Sequence, residues 1–199
     1  MSDTTTRLRP RSWTLPAALL LAACGADISL PPAQLPVTQQ VITLSAITNT
    51  PVGTPSAYNM LSLAEIRPEQ TTNFDFIFDL GPDSSYGLGT TGDTIAVLIP
   101  RGGIGLVADG GLQVTFTPFD SIILAPLNGY ENQLPTRVRA GDAVLAASRL
   151  QTCDFNIISP RYAKMEITSI DVPTRVAVIR VVIDPNCGYR QLSQGIPIQ

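Results

Sequence analysis

Apolar and polar residues alternate with a period of two along much of this chain. In NFDFIFDL (73–80), Phe74, Phe76, Phe78 and Leu80 share one face, while Asp75 and Asp79 share the other. That spacing predicts a half-buried strand with its aspartates solvated. QVITLSAIT, from Gln40, alternates and is β-branched, and TIAVLIP (94–100) reads as a buried strand. GLVADGGLQVTFT (105–117) sets Asp109-Gly110 between apolar runs and predicts a hairpin. DSIILAP (120–126) and GDAVLAAS (141–148) read as strands around the loop NGYENQLP (128–135). In RYAKMEITSI (161–170), Tyr162, Lys164, Glu166 and Thr168 face one way, and Ala163, Met165, Ile167 and Ser169 the other. DVPT (171–174) turns the chain, and RVAVIRVVID returns with Ala177, Ile179, Val181 and Ile183 inward and Arg180 opposite, where it can meet Glu166. AYNMLSLAEI (57–66) fits a short helix or a strand, ending before Pro68. About eight to ten short strands at such spacing predict an all-β fold, an antiparallel β-sandwich or barrel-like domain.

The N-terminus follows a different pattern. Arg7, Arg9 and Arg11 precede an apolar run from Leu15 to Ala23, far short of a membrane-spanning helix. A basic flank, a short apolar core and small residues make an export signal. Its end, Leu21-Ala22-Ala23-Cys24, resembles the lipobox of bacterial lipoproteins, in which cleavage precedes the cysteine and the new N-terminus is acylated. The alternative is an ordinary secretory signal with a cysteine beside its cleavage site. The resemblance implies a signal over 1–23 and lipidation at Cys24, with several acyl chains giving stable anchoring. GADISLPPAQLPVT then completes a proline-rich tether over 24–38, and 39–199 reads as one domain. Gly25 after the anchor, in place of a retaining aspartate, points to the outer membrane.

Composition narrows the chemistry. Three of the 13 basic residues and one of the 16 acids precede Cys24, so the chain from Cys24 onward carries a formal charge of −5. It holds no basic cluster for nucleic acid, and its expected membrane contact is the lipid alone. Beyond Cys24 only Cys153 and Cys187 remain, an even pair in an exported chain that reads as a disulfide. Two separate buried thiols are the alternative.

Histidine is absent, which removes Ser-His and Cys-His nucleophile activation. Lys164, the only lysine, reads as a solvated strand residue beside Glu166. GIGLVA (103–108) fits a relaxed dinucleotide fingerprint, but hairpin sequence follows where that motif needs a helix. Asp75 with Asp79, and Asp83 with Asp93, are the carboxylate pairs available to a hydrolase. The only tryptophan, Trp13, lies in the signal and so supplies no sugar platform. The loop from Asp79 to Asp93 lacks the ligand ladder of a calcium site. No cofactor or metal is expected.

NFDFIFDL, RAGDAVLAAS, YAKMEITSID and RVAVIRVVIDPNCGYRQL together resemble the segment order of HmuY-like haem-binding lipoproteins. The resemblance covers the C-terminal two thirds and implies an all-β outer-membrane lipoprotein. That family holds haem by histidine. Here only Met60 and Met165 offer sulfur ligands beyond the signal, so no binding residue carries over.

The reading is a lipid-anchored, non-catalytic binding or adaptor module of the cell envelope, with an envelope protein or a small ligand as its partner. A small-ligand carrier without histidine ligation and a carboxylate hydrolase are the alternatives. Its expected contact surfaces are the loops 81–93 and 127–135, which present Tyr86 and Tyr130.

Overall fold

The computed structural model describes residues 30–197; the basic flank, the apolar run and Cys24 lie outside them. Two five-stranded antiparallel sheets pack face to face. The first runs β1 (Thr38–Ser45), β12 (Val176–Ile183), β11 (Tyr162–Asp171), β8 (Ala143–Ala147), β6 (Gly111–Thr115). The second runs β3 (Ala64–Ile66), β2 (Ala57–Asn59), β4 (Phe76–Pro82), β5 (Thr94–Pro100), β7 (Thr136–Val138). A small ribbon, β9 (Gln151–Thr152) with β10 (Ile158–Ser159), completes the strands. The fold is an all-β sandwich, and its helical content among the described residues is short 3-10 turns such as Asp83–Tyr86 and Arg101–Ile104.

The core between the sheets follows the alternation. Phe76, Phe78 and Leu80 of β4 meet Met165 and Ile167 of β11 and Ala177, Ile179, Val181 and Ile183 of β12. Each of these side chains larger than alanine contributes about 1.5–3 kcal/mol by leaving water. Phe74 departs from the pattern. It precedes β4 and packs outside the second sheet with Ala57 and Ile77. The β11–β12 hairpin has the expected register, with Glu166 opposite Arg180 and their side chains 3.0 Å apart.

The outer faces are covered as well, which overturns two expectations of solvated polar residues. On the first sheet, Phe119, Ile122 and Ala125 lie over Leu145, Tyr162 and Val182. Lys164 is therefore buried, and its ammonium donates to the carbonyls of Phe119 (3.1 Å) and Ile122 (2.7 Å). Burial pulls its pKa below the ordinary lysine value, against the opposing charge of Asp120. On the second sheet, Asp79 is buried rather than solvated. It accepts from the main chain and hydroxyl of Thr48 (3.1 and 2.7 Å) and from the Tyr86 hydroxyl (2.9 Å).

Two local readings change and two are resolved. Residues 105–117 form no hairpin, because only β6 within them is a strand and it pairs with β8 rather than with residues 105–108. Gly110 has φ +110°, and a Cβ there would meet the Ser148 carbonyl oxygen at 2.6 Å, so close approach to β8 demands the glycine. GIGLVA lies at a 3-10 turn capped by left-handed Gly105, with no helix behind it. DSIILAP is a 3-10 turn, Phe119–Ser121, followed by irregular chain held by Lys164 and by a single antiparallel bridge between Leu124 and Gln191. AYNMLSLAEI becomes the paired strands β2 and β3.

Cys153 and Cys187 form a disulfide with their Cα atoms 5.9 Å apart. It closes 34 positions, for which loop entropy gives about 3–4 kcal/mol. We expect neither cysteine to react with a thiol reagent in the denatured, unreduced chain, and both to react after reduction, as located by peptide mass. Labelling at either residue before reduction would contradict the bridge.

Candidate functional site

The disulfide lies at one rim of the sandwich, where β8 and β12 end and β11 begins. Polar groups missing from the strand pattern converge there. Asp75, just before β4, is buried and takes hydrogen bonds from the main-chain N–H groups of Met60 and Arg149, both at 2.7 Å. The Arg149 guanidinium adds contacts of 3.2 Å to both carboxylate oxygens. Burial raises the Asp75 pKa, and the hydrogen bonds and charge of Arg149 pull it back. Asn59 accepts from the N–H groups of Leu61 and Ser62 at 2.9 and 3.1 Å, shaping the turn between β2 and β3. Arg161 caps that turn by donating to the Leu61 carbonyl at 2.7 Å.

Beyond β12 the chain is held by Asp184 and Asn186. Asp184 is fully buried, and one of its oxygens accepts from the Asn186 main chain and side chain at 2.9 and 2.8 Å. Its other oxygen and the Arg161 Nε are buried without a direct partner. Burial raises the Asp184 pKa and lowers that of Arg161, each countered by the other's charge. The Asn186 amide oxygen accepts from the main chains of Gln34 and Leu35, both at 3.0 Å, and its NH2 donates to the Leu35 carbonyl at 2.7 Å. The Tyr189 hydroxyl donates to the Pro31 carbonyl at 2.9 Å. Residues 30–37, part of the stretch read as a tether, are thus docked on the C-terminal segment.

Between them lies a cleft of about 340 Å³ whose walls include Pro31, Gln34, Thr152, Asp154, Arg161 and Asn186. Its size is at the low end of small-molecule sites. Amides, two hydroxyls, one guanidinium and one carboxylate make it a hydrogen-bonding surface.

The sequence-predicted residues lie elsewhere. Tyr86 and Tyr130 are half-buried, and their hydroxyls are used internally, on Asp79 (2.9 Å) and on the Pro126 carbonyl (3.0 Å). Burial raises both pKa values; the Asp79 carboxylate adds to the effect at Tyr86, and Tyr162 adds to it at Tyr130. Asp83 is buried and folds its own loop by accepting from Thr91 and Gly92, while Asp93 accepts from the Thr91 hydroxyl at 2.7 Å. Asp75 and Asp79 are therefore tied to different partners, and Asp83 and Asp93 share the Thr91 hydroxyl within their own loop, so neither pair faces across a cleft. Among the described residues, no three His, Cys, Asp or Glu side chains are grouped to hold a metal. Sequence reasoning missed Arg149, Arg161, Asp184 and Asn186. The only local hint was polar residues directly abutting the ends of β8, β11 and β12.

Met60 and Met165 are both fully buried in the core between the sheets, where neither sulfur can meet a haem iron without the sheets separating. Added haemin should give no sharp Soret band of a low-spin complex. A saturable one-to-one spectrum would contradict this, and Met60→Ala and Met165→Ala would then identify the sulfur. The chain matches no protein-family model and no curated protein.

Proposed function

We propose that this protein is a lipid-anchored, non-catalytic binding or adaptor module of the bacterial cell envelope, held with its disulfide rim toward the membrane. The observation that carries this reading is the docked stem. Residues 31–35 are fixed to Asn186 and Tyr189 at that rim, and Leu30 is only six positions from Cys24. Six extended residues reach about 20 Å, so an acylated Cys24 keeps the cleft close to the bilayer. The lipobox resemblance supplies the anchor, and its acyl chains give membrane binding without any basic patch.

The non-catalytic part rests on two supports. The chain has no histidine, and Asp75, Asp79 and Asp83 are each engaged in holding main chain and neighbouring side chains. Recognition through the rim cleft fits its polar lining, with Arg161 suited to a carboxylate or phosphate group. The outer membrane is the site we favour, on Gly25.

Cys24→Ser should move the protein from the membrane fraction to the soluble fraction, and the intact mass of the wild-type protein should show added diacylglycerol and acyl groups. A wild-type mass equal to the polypeptide alone would overturn the anchor.

A further inference from the structure

The outside of the first sheet is covered by three irregular segments that lie side by side. Residues 185–195 run in the middle. On one side the Val37 N–H donates to the Gly195 carbonyl at 2.9 Å, and Asn186 and Tyr189 hold residues 31–35. On the other, the N–H groups of Ala125 and Leu192 donate to the carbonyls of Arg190 and Ile123, both at 2.8 Å. Inward, Val37, Ile122, Ala125 and Leu192 pack over Leu145, Tyr162 and Val182. Outward, Leu35, Ile123, Leu124 and Leu127 are each more than half exposed.

Charge is nearly missing from this layer. Charged residues make up 15 % of the chain, yet 30–37, 121–130 and 185–197 contain only Arg190. Its guanidinium donates to the Ala125 carbonyl at 2.9 Å. Of the acids that border the layer, Asp120 is paired with Arg180 at 3.2 Å, and Glu131 accepts from the N–H groups of Gln133 and Leu134. Exposed apolar side chains scattered singly need no account, whereas several on one layer mark a docking surface. What docks there follows from where the chain leads. Leu30 lies at the border of the layer, where a Cβ added to Gly188 would meet its side chain at 2.8 Å. Cys24 is six positions away, a span of about 20 Å at most.

We propose that this layer lies against the lipid bilayer, with Leu35, Ile123, Leu124 and Leu127 entering the boundary between headgroups and acyl chains. The proposal rests on the anchoring reading above and adds a protein face where composition implies contact through the lipid alone. A tether of about 20 Å keeps the layer at high effective concentration beside the surface, so a contact too weak to hold a free protein suffices. The bilayer is within reach of this face from the start, whereas a protein partner would have to arrive from solution. Apolar side chains bind there by leaving water. With its one base already engaged, the layer needs no anionic lipid.

The test uses the full-length chain carrying Trp13→Phe, purified from membranes and reconstituted in phosphatidylcholine vesicles, so that an introduced tryptophan is the only one. Phosphatidylcholine brominated on its acyl chains should quench Leu127→Trp at least about twofold, as for a side chain about 5–10 Å deep. Val52→Trp, on an exposed loop past the end of β1 remote from the stem, should keep its emission. Ile123→Glu with Leu124→Glu, both at exposed positions, should abolish the quenching of Leu127→Trp while the protein stays on the vesicles. Equal quenching at the two tryptophans, or quenching unmoved by the glutamates, overturns the contact. A blue shift of Leu127→Trp without bromolipid quenching would mean that protein covers the face, and overturns it too. Flotation of the same samples reads the anchor separately. Protein that floats with the vesicles unquenched overturns the face contact alone. Protein lost on flotation yet quenched in excess lipid overturns the anchor alone. Loss of both overturns both.

Discussion

The two sheets of this sandwich are tied at one rim by the Asp75 carboxylate. It belongs to the second sheet's side, just before β4, yet its oxygens collect the Arg149 main chain and guanidinium from the end of β8 in the first sheet. They also take the Met60 N–H at the turn after β2. A buried carboxylate with these donors is satisfied; without Arg149 it would be a charge out of water with only part of its hydrogen bonds. The neighbouring groups share the dependence. Asn59 accepts from Arg149 at 3.4 Å, and Arg161 holds the same turn from the start of β11. The opposite end repeats the device. Arg175, at the β11–β12 turn with φ +60°, donates to the Leu80 carbonyl and to Thr48, whose hydroxyl is bonded to Asp79. In both cases an arginine of the first sheet reaches an aspartate of the β4 segment.

The sandwich was legible wherever alternation and short range agreed. The β11–β12 hairpin, the Glu166–Arg180 pair and the inward set Ala177, Ile179, Val181 and Ile183 are local in sequence, and the structure has them. The disulfide was legible by elimination, since Cys24 left two cysteines. The burial of Asp75, Asp79 and Lys164 was not legible. Period-two patterning says which side of a strand a residue occupies but not whether a distant loop covers that side. The cover over Lys164 comes from residues 119–122, more than 40 positions away, and Arg149 is 74 positions from Asp75. Asp109-Gly110 misled for the same reason. Its glycine answers to β8 across the fold rather than to a turn between neighbours.

These contacts also organise the end of the molecule that the proposed anchor would hold near the membrane. The disulfide joins the β9–β10 ribbon to the segment after β12, that segment holds residues 31–35, and the ribbon lines the cleft. A stem fixed by Asn186 and Tyr189 would transmit the proposed anchor's position to the whole sandwich, because the rim beneath it is cross-linked and ion-paired. Such rigidity suits a surface that must be presented in one orientation.

A double-mutant cycle at Asp75 and Arg149 tests the central interaction most directly. Asp75→Asn and Arg149→Met, the latter keeping the apolar stem and the main-chain bond, would be compared singly and together by urea unfolding with the disulfide intact. Each single change should lower stability by about 3–5 kcal/mol. The pair should cost less than their sum by about 2 kcal/mol. Losses additive to within about 0.5 kcal/mol would show that the two side chains do not act together, and that the rim is held by other contacts.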